Sequence, residues 1–517
     1  MTNYILRRLL LMIPTLIGIT FLLFMLVASA PGGIGAGLRF TGGGQTDATS
    51  VAIQQAYLND RYGLDDPPVI QYTRWLARIS PIKFGTRDQI TPAGERKSLP
   101  KSPEPPMLWS WFNDQSPEEA AASVEIDSPL ADLDPNAPNY IEEVQRIFRS
   151  NDNAYGRARG RLITQATLLE QALATYANQT NLQGATNRKG EPIESVFLES
   201  TPDKSHPAWP DLKQQADNAT DAFLEAEAAR QRLTEIFLAK PFPEAGIPII
   251  PGAVSIASPD LGRSFSRSRP VSELILEALP VTLLLNLIAV TLIYAIAVPS
   301  GVLAAVRKGG FLDVGMGALV VALWSFPIPL AGILCIMYLA SDQYLGLFPV
   351  AGLSSSAADT MPFLPSIQNG DFVRGWLLDR LWHICLPVAC LVYGGFAILS
   401  KQTRAAMLDN FNADYVRTAK AKGVAANDIT FRHVFRNSLL PLITLFVTIF
   451  PAMLSGSVVI ETIFTVNGMG RLVIEAINLR DRELILASAL MIGIVNLLSL
   501  LLADILYAIA DPRISYE

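Results

Sequence analysis

The residues best suited to chemistry lie in one stretch, DYVRTAKAKGVAANDITFRHVFRNSLLPLI, residues 414–443. It carries Arg417, Lys420, Lys422, Arg432 and Arg436, with Gly423 between two helix-prone segments. Such a set binds and positions: cations on a short amphipathic element suit a membrane surface with anionic lipid. It does not suit bond breaking. No nucleophile–base arrangement or paired carboxylate accompanies it. His206, His383 and His433 are scattered, and Cys335, Cys385 and Cys390 sit in apolar segments without metal-ligand spacing. GVLAAVRKGG at 301–310 is the nearest glycine–lysine cluster, and it fails the Gly-x-x-x-x-Gly-Lys-Ser/Thr spacing of a phosphate loop. The chain is therefore expected to be no enzyme, to hold no metal or cofactor of its own, and to bind no nucleic acid.

The elements that must hold this stretch are apolar. The 517 residues are 50% hydrophobic with positive mean hydropathy, which reads as a membrane protein diluted by a polar part. The dilution has an address. Residues 80–257 hold 25 Asp/Glu against 17 Lys/Arg, a balance of −8 within a total of −6, so the remainder sits near +2. A spanning helix needs about 20 mostly apolar residues. Six stretches qualify: 9–30, 278–306, 314–340, 383–400, 438–460 and 484–510. Arg7 and Arg8 precede the first, Arg307 and Lys308 follow the second, Lys401 to Arg436 follow the fourth, and Arg513 follows the sixth. The positive-inside rule then puts both termini in the cytoplasm. Segments 31–277, 341–382 and 461–483 become extracytoplasmic. Ala28-Ser29-Ala30 resembles a signal-peptidase site, but the apolar run before it exceeds the 7–15 residues of a signal peptide, so a retained first helix is expected.

Prolines 299, 327, 329, 387 and 451 fall within spans, as kinks for alternating access or as fixed bends that help packing. Asp504, in the last span, is expected at a helix contact or at the interface. Ser325, Pro327 and Pro329, with Ser455 and Ser457, mark a possible translocation path, or else close helix packing by small residues.

Within 414–441 the pattern is helix, turn, helix. Tyr415, Thr418, Ala419 and Lys422 share one side of the first helix, with Arg417 and Lys420 beside them. Gly423 can end it in a left-handed cap, and Asp428 is placed to cap the second. Phe431, Val434 and Phe435 then make a small apolar face flanked by Arg432 and Arg436, ahead of Pro441 at the start of the fifth span. An interfacial helix resting on anionic lipid remains the plain alternative.

YVRTAKAKGV…FRHVFRNSLLP, GSVVIETIFTVNGMGRL and LLADILYAIADPRI together resemble the permease subunits of peptide-type ABC importers, the dipeptide/oligopeptide/nickel family. Upstream, YILRRLLLMIPTLIGITFLLFML, DLGRSFSRSRPVSELILEALPVTLLL and LWHICLPVACLVYGGFAILSKQTRAAML continue the resemblance in order. GGFA, LWHI…LPV and the ending DPRISYE are similar to the Yej-type branch, associated with oligopeptides and microcin C. The resemblance implies an all-α membrane fold of six helices and a coupling loop that docks on a separate ATPase. Carried over, that loop comprises Arg417, Thr418, Ala419 and Gly423 and the helix after it, so Tyr415, Lys420, Asp428, Phe431, Phe435 and Arg436 join the docking set. The general importer motif begins Glu-Ala-Ala; here Arg417-Thr418-Ala419 stands in its place, as is common in the peptide branch. Also implied are a second homologous permease, two ATPase domains carrying ATP and Mg, an extracytoplasmic binding protein, surrounding lipid, and a bacterial inner-membrane location.

The expected organisation is a first helix in 1–31, an outer segment 32–79, an inserted helical domain 80–257, a return segment 258–277, and a five-helix core 278–517 with coupling loop 401–437. In the insertion, Ile141, Phe148, Tyr155, Leu162, Leu169 and Tyr176 recur every seven residues, with Ala166 and Leu173 alternating. Leu212, Ala216, Ala219, Phe223, Ala226, Arg230, Leu233 and Phe237 step by four and three. Both patterns read as coiled-coil helices, joined into an antiparallel hairpin. Asp152, Arg159 and Arg230 interrupt the seams. The hairpin reads either as a docking arm or as a stabilising decoration. An envelope scaffold that uses this coiled coil to bind partners is the competing function.

Overall fold

The computed structural model describes residues 2–29, 63, 66–124, 126–131, 133–187, 190–264, 266–267, 269–368, 371–456 and 458–510. The chain divides into two compact units, Met1–Thr41 with Leu261–Glu517, and Gly42–Asp260.

Helix α1, Thr2–Ser29, belongs to the first unit. The second unit begins with α2, Pro68–Ile79, and then strand β1, Ile82–Phe84. Strands β2, Gln89–Ile90, and β3, Arg96–Lys97, pair with each other. Two long helices follow, α3, Tyr140–Gln179, and α4, Trp209–Leu238. Val144 and Phe148 near the start of α3 share a core with Ile236 and Phe237 near the end of α4. Leu173 and Tyr176 near the end of α3 share a core with Leu212 and Ala216 near the start of α4. The two helices therefore run antiparallel. Of the first seven-residue register, Phe148, Tyr155, Leu162, Leu169 and Tyr176 are buried and Ile141 is exposed. Alanines 216, 219, 222 and 226 on α4 bring the backbones close, and aromatic side chains fill the remaining space. Trp109 meets Phe223 edge-on at 5.2 Å. Trp109 and Leu108 come from the segment ahead of α3, and both are buried against the helices.

Strands β4, Ile247–Ile250, and β5, Val254–Ile256, close this unit. β5 pairs with β1, Ile82 opposite Ile256, so the strands at the two ends of the unit are hydrogen-bonded neighbours. These small sheets correct the all-α expectation. Gly246 and Gly252, both at positive φ, bracket a β-branched run too short for a helix.

The first unit resumes with α5, Val271–Val306, then α6, Phe311–Ser325, and α7, Ile328–Cys335, which continues as a wider helical turn through Ala340. Strands β6, Ser366–Gln368, and β7, Asp371–Val373, form a hairpin before α8, Gly375–Phe411. Next come α9, Asp414–Ala421, α10, Arg436–Gly456, α11, Val458–Ile463, α12, Met469–Asn478, and α13, Arg482–Ala510.

Among the described residues, four single helices are long and apolar enough to cross a membrane: Ile5–Ser29, Val271–Val306, Gly375–Phe411 and Arg482–Leu506. The third expected span is instead a broken pair, Phe311–Ser325 and Ile328–Ala340, bent by 88°. Pro327 causes the break. It biases Phe326 to extended backbone (φ −94, ψ 119), and α6 ends at the preceding residue. α5 runs on through Pro280 and Pro299, and α8 through Pro387. α5 and α8 pack closely because small residues face one another. A Cβ on Gly301 would lie 2.6 Å from Thr403 Cβ, and the hydroxyls of Ser300 and Ser400 are 3.0 Å apart.

Candidate functional site

Ala413 caps α9 in extended backbone, and the helix carries Asp414 in its first turn and Lys420 in its last. Both charges complement the helix dipole. The Thr418 hydroxyl donates to Asp414 O at 3.0 Å, and Arg417 pairs with the Asp414 carboxylate at 3.4 Å. At the other end Gly423 has φ +76, and its N–H donates to Lys420 O at 3.0 Å. The Val424 N–H donates to Ala419 O at 3.2 Å. Those two bonds make a Schellman cap, which requires a left-handed residue and so favours glycine. Val424 also packs in the same apolar cluster as Ala419, the contact that usually accompanies this cap.

The next helix starts at Ala426, with Ala425 as its cap. Asp428 therefore does not cap it. It is the third helical residue, exposed, where its charge still favours the helix N-terminus. Residues Ile429–Phe435 form a wide π-type turn that runs directly into α10. This turn shifts the phase of every side chain that follows. Ile429, Thr430 and Val434 point inward, whereas Phe431, expected to share an apolar face with Val434 and Phe435, is 60% exposed. Phe435 is half-buried. In α9 the buried residues are Val416 and Ala419. Ala419 thus parts from Tyr415, Thr418 and Lys422, which are exposed.

The inner side is anchored on three helices. Val416, Ala419, Ile429 and Val434 form one cluster with Val302 and Ala305 of α5 and Met407 of α8. Hydrogen bonds extend the attachment. The Tyr415 hydroxyl donates to Asn410 Oδ1 at 2.8 Å, and Asn410 Nδ2 donates to Ser438 Oγ at 3.1 Å. Ser438 donates in turn to Ala406 O at 3.1 Å. Arg404 of α8 makes a two-pronged contact with Asp313 of α6, whose carboxylate also accepts the Gly309 N–H at 2.9 Å. The outer side presents Tyr415, Arg417, Thr418, Lys420, Lys422, Phe431, Arg432 and Arg436 together. This surface is cationic, carries two aromatic rings, and is stiffly joined to α5, α8 and α10. Sequence reasoning missed Asn410 and Ser438, whose roles depend on contacts across 28 residues.

The five residues of the possible path stand differently. Ser325 ends α6 with its hydroxyl donating to Val321 O at 2.9 Å, Pro327 caps α7, and Pro329 lies in its first turn. All three are exposed at the break. Ser457 lies outside the described residues, and so does the side chain of Ser455. α7 packs on α11 so closely that a Cβ on Gly332 would meet Ile463 at 3.3 Å. A second buried constellation was not foreseen. The Glu461 carboxylate accepts the Thr282 hydroxyl at 2.7 Å and the Arg471 N–H at 3.0 Å, and Thr282 accepts the Met469 N–H at 2.8 Å.

Residues 297–516 match the family described as binding-protein-dependent transport system inner membrane components. That interval contains both the 414–436 surface and Glu461, and the unit Gly42–Asp260 lies outside it. The chain is 38% identical over 259 residues to an inner membrane ABC transporter permease protein, YejB, of Escherichia coli O157:H7, covering 50% of this chain and 68% of that one. It is 39% identical over 258 residues to the oligopeptide transport system permease protein AppB of Bacillus subtilis strain 168, covering 50% and 76%. A di/tripeptide transport system permease protein, DppB, of Pseudomonas aeruginosa is 32% identical over 268 residues, covering 51% and 79%. A solved structure of the MetNI methionine ABC transporter aligns with TM-score 0.34 at 13% identity, over 46% of this chain and 97% of that one. The chain belongs to the family of binding-protein-dependent ABC transporter permeases.

Proposed function

We propose that this chain is one permease half of an ATP-driven importer of peptides, oligopeptides foremost, in a bacterial inner membrane. Six spans with both termini in the cytoplasm remain part of this reading. A second homologous permease supplies the other half of the path, a binding protein delivers substrate, and separate ATPase chains hold ATP and Mg. The naming of AppB for oligopeptides and DppB for di/tripeptides supports the substrate class. The observation that carries the reading is the two-sidedness of residues 414–436. Val416, Ala419 and Val434 are locked against the membrane helices, while Tyr415, Arg417, Lys420 and Phe431 are offered outward. A flexible linker would absorb the force of a moving ATPase, and a capped, anchored element transmits it. No observation favours the scaffold alternative.

The test is purification of the tagged complex from its native host. With Arg417→Glu and Lys420→Glu combined, the ATPase chains are expected to be lost and the second permease retained. If the ATPases stay bound and uptake is intact, the coupling assignment fails.

A further inference from the structure

A cleft of about 480 Å³ opens in the first unit between the start of α5, the start of α8 and residues 465–475. Small-ligand sites span roughly 300–1,000 Å³, so the space suits the end of a short peptide. Its charged lining is Arg267, Glu277, Arg380, Arg471 and Glu475, with Asn467 beside them. Four of these five charged side chains already have an ion-pair partner. Arg267 and Arg471 both bind the Glu475 carboxylate, Arg471 at 2.8 Å, and Arg471 also reaches Asn467 Oδ1 at 3.1 Å. Glu277 is held by Arg269, with one contact at 3.2 Å. Arg380 is different. Among the described residues it has no carboxylate partner, and its Nε is shielded from solvent with no acceptor. Its guanidinium lies 4.7 Å from the Trp376 ring centroid. The neighbouring Asp379 carboxylate is already occupied by the Ser355 N–H at 2.8 Å.

A guanidinium is a rigid fork that matches a carboxylate with two parallel hydrogen bonds, and stacking on an aromatic ring fixes its plane. The lining segments also fall within, or one turn beyond, the connections that the charge rule puts outside, where substrate is delivered. We propose that this cleft is a receiving site for peptide and that Arg380 takes the C-terminal carboxylate. The assignment rests on the import reading above.

The test uses the assembled transporter in proteoliposomes with its binding protein and internal ATP. Uptake is compared for a peptide with a free C-terminal carboxylate and for its amide, in wild type, Arg380→Gln and Arg380→Lys. Arg380→Gln should lower free-acid uptake about tenfold and leave the amide within about twofold; Arg380→Lys should fall between. The binding protein's own preference cancels in the variant-to-wild-type ratio. A benzophenone next to the peptide's C-terminal residue should label residues 376–380 or 465–471 in wild type. Labelling elsewhere overturns the site. Equal loss for both peptides, or loss of the second permease on purification, makes Arg380 a structural or subunit contact instead. Wild type that takes up neither peptide overturns the import reading itself, a result distinct from normal uptake that ignores Arg380.

Discussion

Arg8 of α1 and Asp504 of α13 form an ion pair at 3.1 Å. At the other end of the same helices, the Arg482 guanidinium stacks 4.5 Å from the Phe24 ring centroid. The first and last long helices of the unit are therefore antiparallel neighbours, and the start of one lies beside the end of the other. The start of α1 and the end of α13 thus lie on the same side of this unit, as an even number of spans would require. With basic residues next to those ends, the charge rule predicts the cytoplasmic side. Reporters fused at either terminus should both read cytoplasmic, and one terminus reading outside would exclude the arrangement.

The same pair predicts a small stability effect. Arg8 is partly exposed, so screening limits the bond to about 1 kcal/mol or less. Asp504→Ala should lower the melting temperature of the detergent-solubilised chain slightly, and Arg8→Asp should do likewise. The exchange Arg8→Asp with Asp504→Arg should recover most of the loss. If the exchange is as damaging as the two single changes added, the contact does not hold the helices together.

Gly468 and Gly493 form a contrasting pair. A Cβ on Gly468 would lie 2.5 Å from both the Glu461 carboxyl carbon and Thr282 Oγ1, both fully buried. Gly468→Ala must push the carboxylate off its donors, at a cost of about 3 kcal/mol. A Cβ on Gly493 meets only the Leu16 Cδ2 methyl at 3.2 Å, and that side chain can rotate away. Gly493→Ala should cost less than about 1 kcal/mol. Thermal melts of the two variants give the comparison. Equal effects would mean that the Glu461 network contributes little.

The sequence marked the exposed basic residues of 414–436 more fully than the fold's details. Seven-residue repetition marks the buried side of α3 because that helix is regular over 40 residues. Gly423 was readable because a left-handed cap has few alternatives. Phe431 parts from Val434 because counting by 3.6 residues per turn assumes an ordinary helix, and the π-type turn at 429–435 is wider; Asp428 was misplaced because the helix already starts at Ala426, two residues before it. The partner of Asp504 lies 496 residues away, beyond any local pattern. The strands β1 and β5, and the bonds among Tyr415, Asn410 and Ser438, are likewise settled by tertiary contact alone.

The cap at Gly423 gives a prediction that separates conformation from volume. Nothing lies within 4 Å of a Cβ built there, so a larger side chain meets no clash. Its penalty is the positive φ alone, about 1–2 kcal/mol for an ordinary L-residue. Asparagine tolerates this region. Gly423→Asn should keep ATPase binding and uptake near wild type, whereas Gly423→Val should weaken both with the membrane helices unchanged. Identical behaviour of the two variants would show that the cap does not orient the surface.

Glu227, buried on α4, predicts the acid behaviour of the second unit. Its carboxylate accepts both Arg230 Nε contacts, at 3.0 and 2.9 Å, and Gln231 Nε2 at 3.2 Å. Burial pushes its pKa up, but the hydrogen bonds from Arg230 and Gln231, with the nearby charges of Arg230 and Arg159, outweigh that and hold it below the ordinary value. The folded chain therefore binds this proton less readily than the unfolded chain does. The resulting stability is fully present above the ordinary glutamate value of about 4.3 and is lost as pH falls through the lower folded value. Glu227→Gln removes this contribution and leaves a donor facing Arg230, costing about 1–3 kcal/mol at neutral pH. Hydrogen exchange at the amides of α3 and α4 should be faster in the variant at pH 7, and the difference should shrink as the pH is lowered below 4. A difference that is constant across that interval would show that Glu227 is not held ionised by Arg230.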